Sequence, residues 1–312
     1  MNFVVFGSLA RREWTSGSDV DWSLLVDGQT DPEDIYIAKR IEQLLIANSW
    51  QKPSPSGVFG SLAFSHSLVH DIGGSSDSHV NTTRRVLLLL ESRGVANDGS
   101  VRDRIIRALL GRYLEEDTHF HPENGSRSFV PRFLLNDVVR YWRTIAVDYA
   151  NKTREVQQTK WALRNIKLRM SRKLIFVNGL LMCFLCHLNQ ERIQEEPTIG
   201  SDDDPSNMPF INYLADLIEQ TPLDLLADVV SERKISDDTI RLIFDSYNQF
   251  LEALNDPAQR KHLEGLTYKR AKIDETFERL RKGGKAFQEG LRRLFFEENE
   301  DLRKLCQVYG LF

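Results

Sequence analysis

Two aspartates, Asp19 and Asp21, have the residue type and spacing that best fit chemistry in this sequence. Because side chains alternate between the two faces of a strand, both carboxylates leave the same face. Hard divalent cations such as Mg²⁺ take oxygen ligands and keep water and substrate phosphates in their remaining positions. A pair of such ions stabilises the attacking and leaving oxygens of an in-line displacement. The two aspartates therefore predict a site for Mg²⁺ or Mn²⁺, with two ions, that acts on a phosphorylated substrate.

A glycine and a serine precede these aspartates. Gly7 and Ser8 are adjacent, and Ser18 follows Ser8 by ten residues. Glycine lets the backbone approach a phosphate chain, and Ser8 adds a hydroxyl and an N–H donor at the start of a short predicted helix, where anions are favoured. We expect all three residues to contact a nucleotide. In the alternative interpretation Gly7 and Ser8 form a plain turn and the two aspartates lie on an exposed strand edge. The acidic pair, however, leads into an apolar strand, where β-propensity disfavours charge.

The order Gly7-Ser8 followed by Asp19-Val20-Asp21 resembles the signature of the nucleotidyltransferases related to DNA polymerase beta. The segment 11–13, Arg-Arg-Glu, resembles the variant found in glutamine-synthetase adenylyltransferases and bacterial signal-transduction uridylyltransferases. The resemblance covers about twenty residues. It implies that the two aspartates hold the metals and that the glycine and serine cradle the triphosphate.

The arginines of this segment carry more than one interpretation. We assign Arg11 to nucleotide binding. Arg11 and Arg12 fit equally well as solvated residues of a turn. Arg12 with Glu13 also fits an ion pair that braces the turn.

That family adds a third carboxylate from a later strand, which acts as a general base or as a further metal ligand. Asp71 is our candidate for both roles. Gly73 and Gly74 follow it at once, so capping a turn is the alternative. Asp77 is the second choice, and His66 or His70 are further alternatives.

Hydrophobic periodicity predicts strands at 3–6 and 20–26, a helix at 31–48 and a further strand or two within 62–72. Later segments are helical. The fold class is therefore α+β, with a small mixed-sheet nucleotidyltransferase domain followed by a larger all-helical domain. We place these domains at 1–95 and 96–312, with a sub-boundary in the loop 195–209. The family usually has a helix before its first strand, whereas this strand begins at residue 2.

A basic stretch at 152–173 carries seven net positive charges in a chain that is net negative. On a helix, Lys160, Arg164 and Lys167 line one edge of a buried apolar stripe, separate from the other arginines of the stretch. We expect these three to bind the triphosphate or an acceptor phosphate. The alternative is a solvated face paired with acids elsewhere.

Five further residues fit either structural or nucleotide-binding roles. Trp142 and Trp161 lie among these charges, and core packing is favoured over base stacking for both. Thr83, Arg84 and Arg85 precede an apolar helix. They either contact a nucleotide or simply form the start of that helix.

Composition indicates an ordinary folded protein. The net charge is −4, so polyanion binding by the whole surface is excluded and any such affinity is local. The longest apolar runs fall short of the roughly 20 residues of a membrane helix, and no signal peptide is evident. We expect a soluble, cytoplasmic protein without a membrane span. Cys183 and Cys186 stand next to His187 but lack a second pair, so buried thiols are favoured over half a metal site.

Three functions remain after this reasoning. The leading one is template-independent transfer of a nucleoside monophosphate, from a ribo- or deoxyribonucleoside triphosphate, to the 3′-hydroxyl of a nucleotide or nucleic acid. This activity makes or tails oligonucleotides, as relatives in bacterial antiviral defence do. The alternative is a protein adenylyl- or uridylyltransferase. The third is a catalytically inactive nucleotide-binding partner or antitoxin. Oligomeric state stays open.

Overall fold

The computed structural model describes residues 1–15, 17–29, 31–53, 58–95, 101–115, 117, 128–154, 160–195 and 207–310. Within these residues a small mixed sheet at the N-terminus precedes a mostly helical remainder, which confirms the predicted α+β class.

The sheet described in the structure has four strands, in the order β3-β2-β1-β4. Strand β1 runs antiparallel to both β2 and β4, and β3 runs parallel to β2. The strands are β1 (Asn2–Phe6), β2 (Trp22–Val26), β3 (Ser61–Phe64) and β4 (Ser92–Gly94).

Helices fill the rest of the described chain. Those up to residue 154 are α1 (Gly7–Ala10), α2 (Asp34–Ala47), α3 (Ser65–Val69), α4 (His79–Leu90), α5 (Val101–Glu115) and α6 (Arg132–Arg154). The later ones are α7 (Trp161–Arg169), α8 (Ser171–Leu188), α9 (Gln190–Glu195), α10 (Met208–Ile218), α11 (Pro222–Glu232), α12 (Asp237–Asn255), α13 (Pro257–Gly265), α14 (Tyr268–Ala271), α15 (Glu275–Phe296) and α16 (Glu300–Tyr309).

A hydrophobic cluster fixes β2 between its neighbours. Val20, Trp22 and Leu24 alternate along the chain and are all buried, and Leu45 of α2 packs against them. Phe3 of β1 meets Trp22 with ring centroids 5.6 Å apart. Both faces of β2 are buried, since Ser23 and Leu25 on the alternate positions are each 1% exposed, and this fits the short buried strand that the sequence predicts.

The predicted strand at 62–72 is wrong beyond Phe64, where α3 begins. Leu68 and Val69 are consecutive and both buried, while His66 and His70 are exposed. A strand with one solvent face cannot bury two consecutive side chains, whereas a short helix can.

The chain divides into two compact units that are not contiguous in sequence. A close approach explains why part of α8 belongs to the first unit. A Cβ on Gly179 would lie 2.6 Å from Val138 of α6, so the helices pack there with no side chain between them. The predicted sub-boundary falls largely on residues 196–206, outside the described residues. Unit 1 comprises Met1–Trp14, Ser18–Tyr141 and Gly179–Pro222, and unit 2 comprises Thr15–Gly17, Trp142–Asn178 and Leu223–Phe312.

Within the described residues, one segment has the length and hydropathy of a membrane helix, Trp161–Leu188. It joins α7 to α8, and 67% of its apolar window is buried inside the protein. Such burial is typical of a core helix, so no clear membrane span is present in the described part of the chain.

The three cysteines are buried free thiols, as predicted for the pair on α8. Burial raises the pKa of Cys183 and Cys186 and raises the pKa of Cys306 to about 12. Because the thiolate is the reactive form, burial makes these thiols poor nucleophiles.

Candidate functional site

Both predicted motifs of the N-terminal region lie at one edge of the sheet. Because β1 is antiparallel to β2 and β4, and β3 is parallel to β2, the end of β1 shares its edge with the starts of the other strands. Gly7 follows β1, Asp21 precedes β2, Gly60 precedes β3 and Glu91 precedes β4. Residues from four separate segments are thereby brought together.

Gly7 and Asp21 are in close contact at this edge. Gly7 has φ +66°, which favours glycine, and the preceding Phe6 N–H donates to the Asp21 carbonyl at 2.8 Å. A Cβ on Gly7 would lie 3.2 Å from Asp21 Oδ2. The carboxylate therefore lies against bare backbone, with room that any other residue would fill.

The two aspartates occupy alternate positions on either side of Val20. Val20 and Trp22 are buried, whereas Asp19 and Asp21 on the alternate positions are partly exposed. Val20 N–H donates to the Gln51 carbonyl at 2.8 Å, which extends the strand pairing back to Asp19. Both carboxylates consequently point away from the core cluster.

The serines lie beside this pair. Ser8 is partly buried in α1, and its carbonyl accepts the Glu13 N–H at 2.8 Å, while Ser18 is buried. Helix α1 has four residues, too few for the predicted helix-terminus effect, because that effect needs many aligned peptide dipoles. Only individual N–H groups and the hydroxyls remain as anion donors here.

Arg11 is engaged with two glutamates. Its guanidinium is 2.9 Å from Glu13 and also pairs with Glu91, and all three side chains are buried. The brace proposed for Arg12 therefore belongs to Arg11, while Arg12 is exposed with φ +61°. A bracing contact between the turn after α1 and the start of β4 is the role that this geometry supports for Arg11, in place of the predicted nucleotide contact.

Arg84 is a residue at the edge that the sequence left undecided. From inside α4, its guanidinium donates to the Val58 carbonyl and to Ser61 Oγ, both at 2.7 Å. Burial lowers the pKa of Arg84. These contacts place the partly buried Arg84 at the start of β3. Because β3 pairs in parallel with β2, this is the same edge of the sheet as Asp21, which precedes β2.

The neighbouring Arg85 is fully buried and has a different role. It donates to Asp77 at 2.9 Å, to Asp137 at 2.8 Å and to the Tyr113 hydroxyl at 2.7 Å. Burial acts to lower the pKa of Arg85, but the hydrogen bond to Asp77 and the other acidic contacts outweigh it and raise that pKa. Asp77 also accepts the Gly73 N–H, so this network anchors the turn before α4.

Asp71 and Asp77 are the candidates for the predicted third carboxylate. Asp71 lies in the turn after α3 rather than on a strand, and Asp77 is paired with Arg85. Across the described residues, no three Asp, Glu, His or Cys side chains are grouped to hold a metal ion. Between residues 53 and 70, which include β3, the sequence contains no acid. Asp71 is therefore not brought into a metal-binding group with Asp19 and Asp21.

The predicted basic row lies in unit 2. Lys160 is exposed, with Nζ 3.9 Å from Glu264, which fits the solvated interpretation. Arg164 and Lys167 are partly buried on α7. Trp161 packs on Tyr268, with ring centroids 5.0 Å apart, so it has the core role that we favoured.

No protein-family model, curated protein or solved structure matches this chain.

Proposed function

We propose that the chain is a metal-dependent nucleotidyltransferase that moves a nucleoside monophosphate from a nucleoside triphosphate to a hydroxyl. One contact carries this assignment: the side-chain-free backbone of Gly7 lies against the Asp21 carboxylate at the shared edge of the sheet. A phosphate chain needs close backbone approach beside an acidic metal site. The strand geometry supplies both at one place.

The residues at this edge fit Mg²⁺ or Mn²⁺. Two carboxylates that leave the core in one direction are a sufficient protein ligand set, because Mg²⁺ is commonly held by one or two carboxylates together with substrate phosphates. Asp19 and Asp21 would hold the ion or ions. When bound, such ions neutralise the charge that develops on the phosphate oxygens during transfer.

The other residues of the edge position the substrate. Gly7 lets the Asp21 carboxylate lie directly against its backbone, and the Ser8 and Ser18 hydroxyls are donors next to these residues in the sequence. Arg84 adds a positive charge at the start of β3, where it can contact a phosphate oxygen. Arg11 pairs with Glu13 and Glu91 and so fixes the turn after α1. This turn holds Gly7 and Ser8 in position.

The acceptor belongs to the same proposal. We assign it to the 3′-hydroxyl of a nucleotide or nucleic acid, with oligonucleotide synthesis or tailing as the outcome and the cytoplasm as the location. Support comes from the positive charge on α7 and α8, because phosphodiester chains are bound mainly through cations. An acceptor hydroxyl on a protein is the alternative.

The lack of a grouped third carboxylate favours a second candidate function. A site with two acidic residues can hold a nucleotide and its metal without a residue to deprotonate the acceptor. The chain would then be an inactive nucleotide-binding partner.

The deciding experiment measures pyrophosphate release and label transfer. The full chain is incubated with Mg²⁺ or Mn²⁺ and each labelled ribo- or deoxyribonucleoside triphosphate, with and without a short oligonucleotide. We expect labelled oligonucleotides that disappear with EDTA and fall at least about 100-fold in Asp19→Asn. Asp27→Asn is the matched control, because Asp27 follows the opposite end of β2 and pairs with exposed Arg104.

Each other outcome has a meaning. Label on protein alone moves the acceptor to a protein hydroxyl. If the chain binds nucleotide but releases no pyrophosphate with any nucleotide or acceptor, it is the inactive nucleotide-binding partner and not an enzyme. If Asp19→Asn transfers nucleotide as well as the wild type, the assignment of the metal site to Asp19 and Asp21 is wrong.

Gly7→Ala tests the contact itself. The methyl group strains a residue at φ +66° and displaces the Asp21 carboxylate, so we expect transfer to fall at least about 10-fold. Gly73→Ala is the control, because Gly73 has φ +70° but open space around its Cα. If Gly7→Ala and Gly73→Ala are equally active, the contact between Gly7 and Asp21 has no role in transfer.

A further inference from the structure

Four cations of unit 2 form a group that we call the cationic cluster: Arg169, Arg172, Lys173 and Lys285. Arg169 ends α7, the next two begin α8, and the last lies on α15. Among the described side chains, no carboxylate lies within 4.0 Å of any of them. The three on α7 and α8 are partly buried, so their charge is only partly solvated.

Contacts with α15 hold the cluster together. A Cβ on Gly284 would lie 3.2 Å from Arg169 Cβ, so the arginine stem crosses α15 at this glycine. Lys173 Nζ donates to Gln288 Oε1 at 3.0 Å. Lys285 precedes Gln288 by three residues, which places it on the same face of α15.

This arrangement is unfavourable for the free protein. Arg172 and Lys173 lie in the first turn of α8, where the helix dipole opposes positive charge. Burial and the nearby Arg169 lower the pKa of Lys173 to about 8. Arg169 and Lys173 repel each other with no carboxylate within 4.0 Å of either among the described side chains, and such a pair is stabilised by a bound anion.

An aromatic pair lies beside the cluster. Phe176 follows Arg172 by four residues and Lys173 by three on α8, so it shares their side of the helix. Trp142 of α6 stacks on Phe176, with ring centroids 5.2 Å apart and an interplanar angle of 21°. Both rings are partly exposed.

We infer that this surface binds a single-stranded nucleic acid, with the cationic cluster on the phosphodiester backbone and Phe176 stacked against a base. Cations along a chain of phosphates together with an exposed aromatic ring are the combination that single strands require. A mononucleotide needs fewer charges, and a duplex hides its base faces from the ring. If the chain is the proposed nucleotidyltransferase, the strand is its acceptor or product; the binding itself does not depend on that activity.

The test is fluorescence anisotropy with a fluorescein-labelled, 3′-blocked dT₁₅ strand and the full chain in EDTA, so that no transfer occurs. We expect Arg172→Gln/Lys173→Gln to weaken binding at least 10-fold. The slope of log affinity against log salt should fall by about 1 to 2, because two phosphate contacts are lost. Arg292→Gln/Lys304→Gln removes the same charge from exposed, acid-paired positions, and it should bind like the wild type.

Two further variants separate recognition from misfolding. Arg172→Lys/Lys173→Arg keeps both charges and should retain binding within about 3-fold. Phe176→Leu keeps an apolar residue but loses the stacking face, so it should weaken binding about 5-fold for the single strand and leave a 15-base-pair duplex unaffected.

Several results would overturn the inference. They are equal binding by the glutamine double variant and its control, no effect of Phe176→Leu on the single strand, or full competition by ATP alone. Asp19→Asn should bind the strand as the wild type does. If the chain binds the single-stranded nucleic acid but never shows nucleotidyl transfer, the proposed function is wrong and the inferred binding surface stands.

Discussion

Positive charge is handled differently in the two units of this protein. In unit 1, Arg85 is fully buried between Asp77 and Asp137, and Arg11 is buried between Glu13 and Glu91. In unit 2, the members of the cationic cluster on α7 and α8 are partly buried with no carboxylate within 4.0 Å among the described side chains.

The difference separates structural cations from cations available to a ligand. An arginine surrounded by acids is already neutralised, and its removal leaves those acids buried alone. A partly buried cation without an acid costs stability and gains from an external anion. Burial alone does not distinguish the two kinds, but the presence of a carboxylate partner does.

The largest effect is expected for Arg85→Met. This change leaves Asp77 and Asp137 without their buried cation, so the free energy of unfolding should fall by about 3–5 kcal/mol, measured by urea denaturation. The control is Arg140→Met, because Arg140 is 40% exposed and 3.8 Å from Asp77, and it should cost about 1 kcal/mol or less. Equal urea midpoints for the wild type and Arg85→Met would break the comparison.

Arg11→Gln should come next, with a loss of about 2–3 kcal/mol. Glu13 and Glu91 would remain buried with only a neutral partner. Arg12→Gln changes the adjacent but exposed arginine and should cost less than about 0.5 kcal/mol. Thermal denaturation of the three proteins side by side checks both values, and a larger loss for Arg12→Gln would reverse the assignment of the brace.

Asp77 should give unit 1 an acid-sensitive stability. Burial acts to raise its pKa, but the hydrogen bonds from Arg85 and the Gly73 N–H, with the nearby charges, outweigh this and lower the pKa in the folded protein. Its stabilising contribution is therefore present above the unfolded pKa of about 4 and is lost as the pH falls through the folded value. Asp77→Asn should lower stability at pH 7 and flatten the loss below pH 4 in urea titrations. Parallel pH profiles would contradict the pairing.

Lys173→Met should have the smallest effect and the opposite sign. It removes an uncompensated charge and keeps the apolar stem, so we expect stability at pH 7 to be unchanged or higher by up to about 1 kcal/mol. The folded pKa of about 8 lies below the unfolded value of about 10.4, so the unfolded chain binds more protons between them. Wild-type stability should therefore gain from this group as the pH rises from about 8 to 10.4, and the variant should lack that gain. A clear loss of stability in Lys173→Met at pH 7 would show that the lysine is structural.

Local patterns predicted much of the sheet and its edge. The alternation from Asp19 to Trp22 separates the acidic side chains from the apolar ones, and the structure buries Val20 and Trp22. The helical pattern of α2 was also readable. Prediction failed at 65–69, because Leu68 and Val69 are buried by α3 packing on α5, a contact distant in sequence.

The partners of charged residues were not predictable from sequence. Arg11, Arg84 and Arg85 look alike in the chain, yet one pairs with Glu91, one caps the start of β3 and one fills a buried acidic site. The distant partners Glu91, Val58, Ser61 and Asp137 are brought in by strand pairing or helix packing across 23 to 80 positions. No local pattern encodes such distances.

By itself, then, the sequence determined that Asp19 and Asp21 leave one face of a strand and that Gly7 precedes them, because these follow from alternation and backbone freedom. Only the tertiary structure decided that Gly7 touches Asp21, and that among the described side chains Asp71 is not grouped with Asp19 and Asp21 and no carboxylate lies within 4.0 Å of Arg172 or Lys173. Those outcomes depend on which segments pack together, and packing is a property of the whole chain.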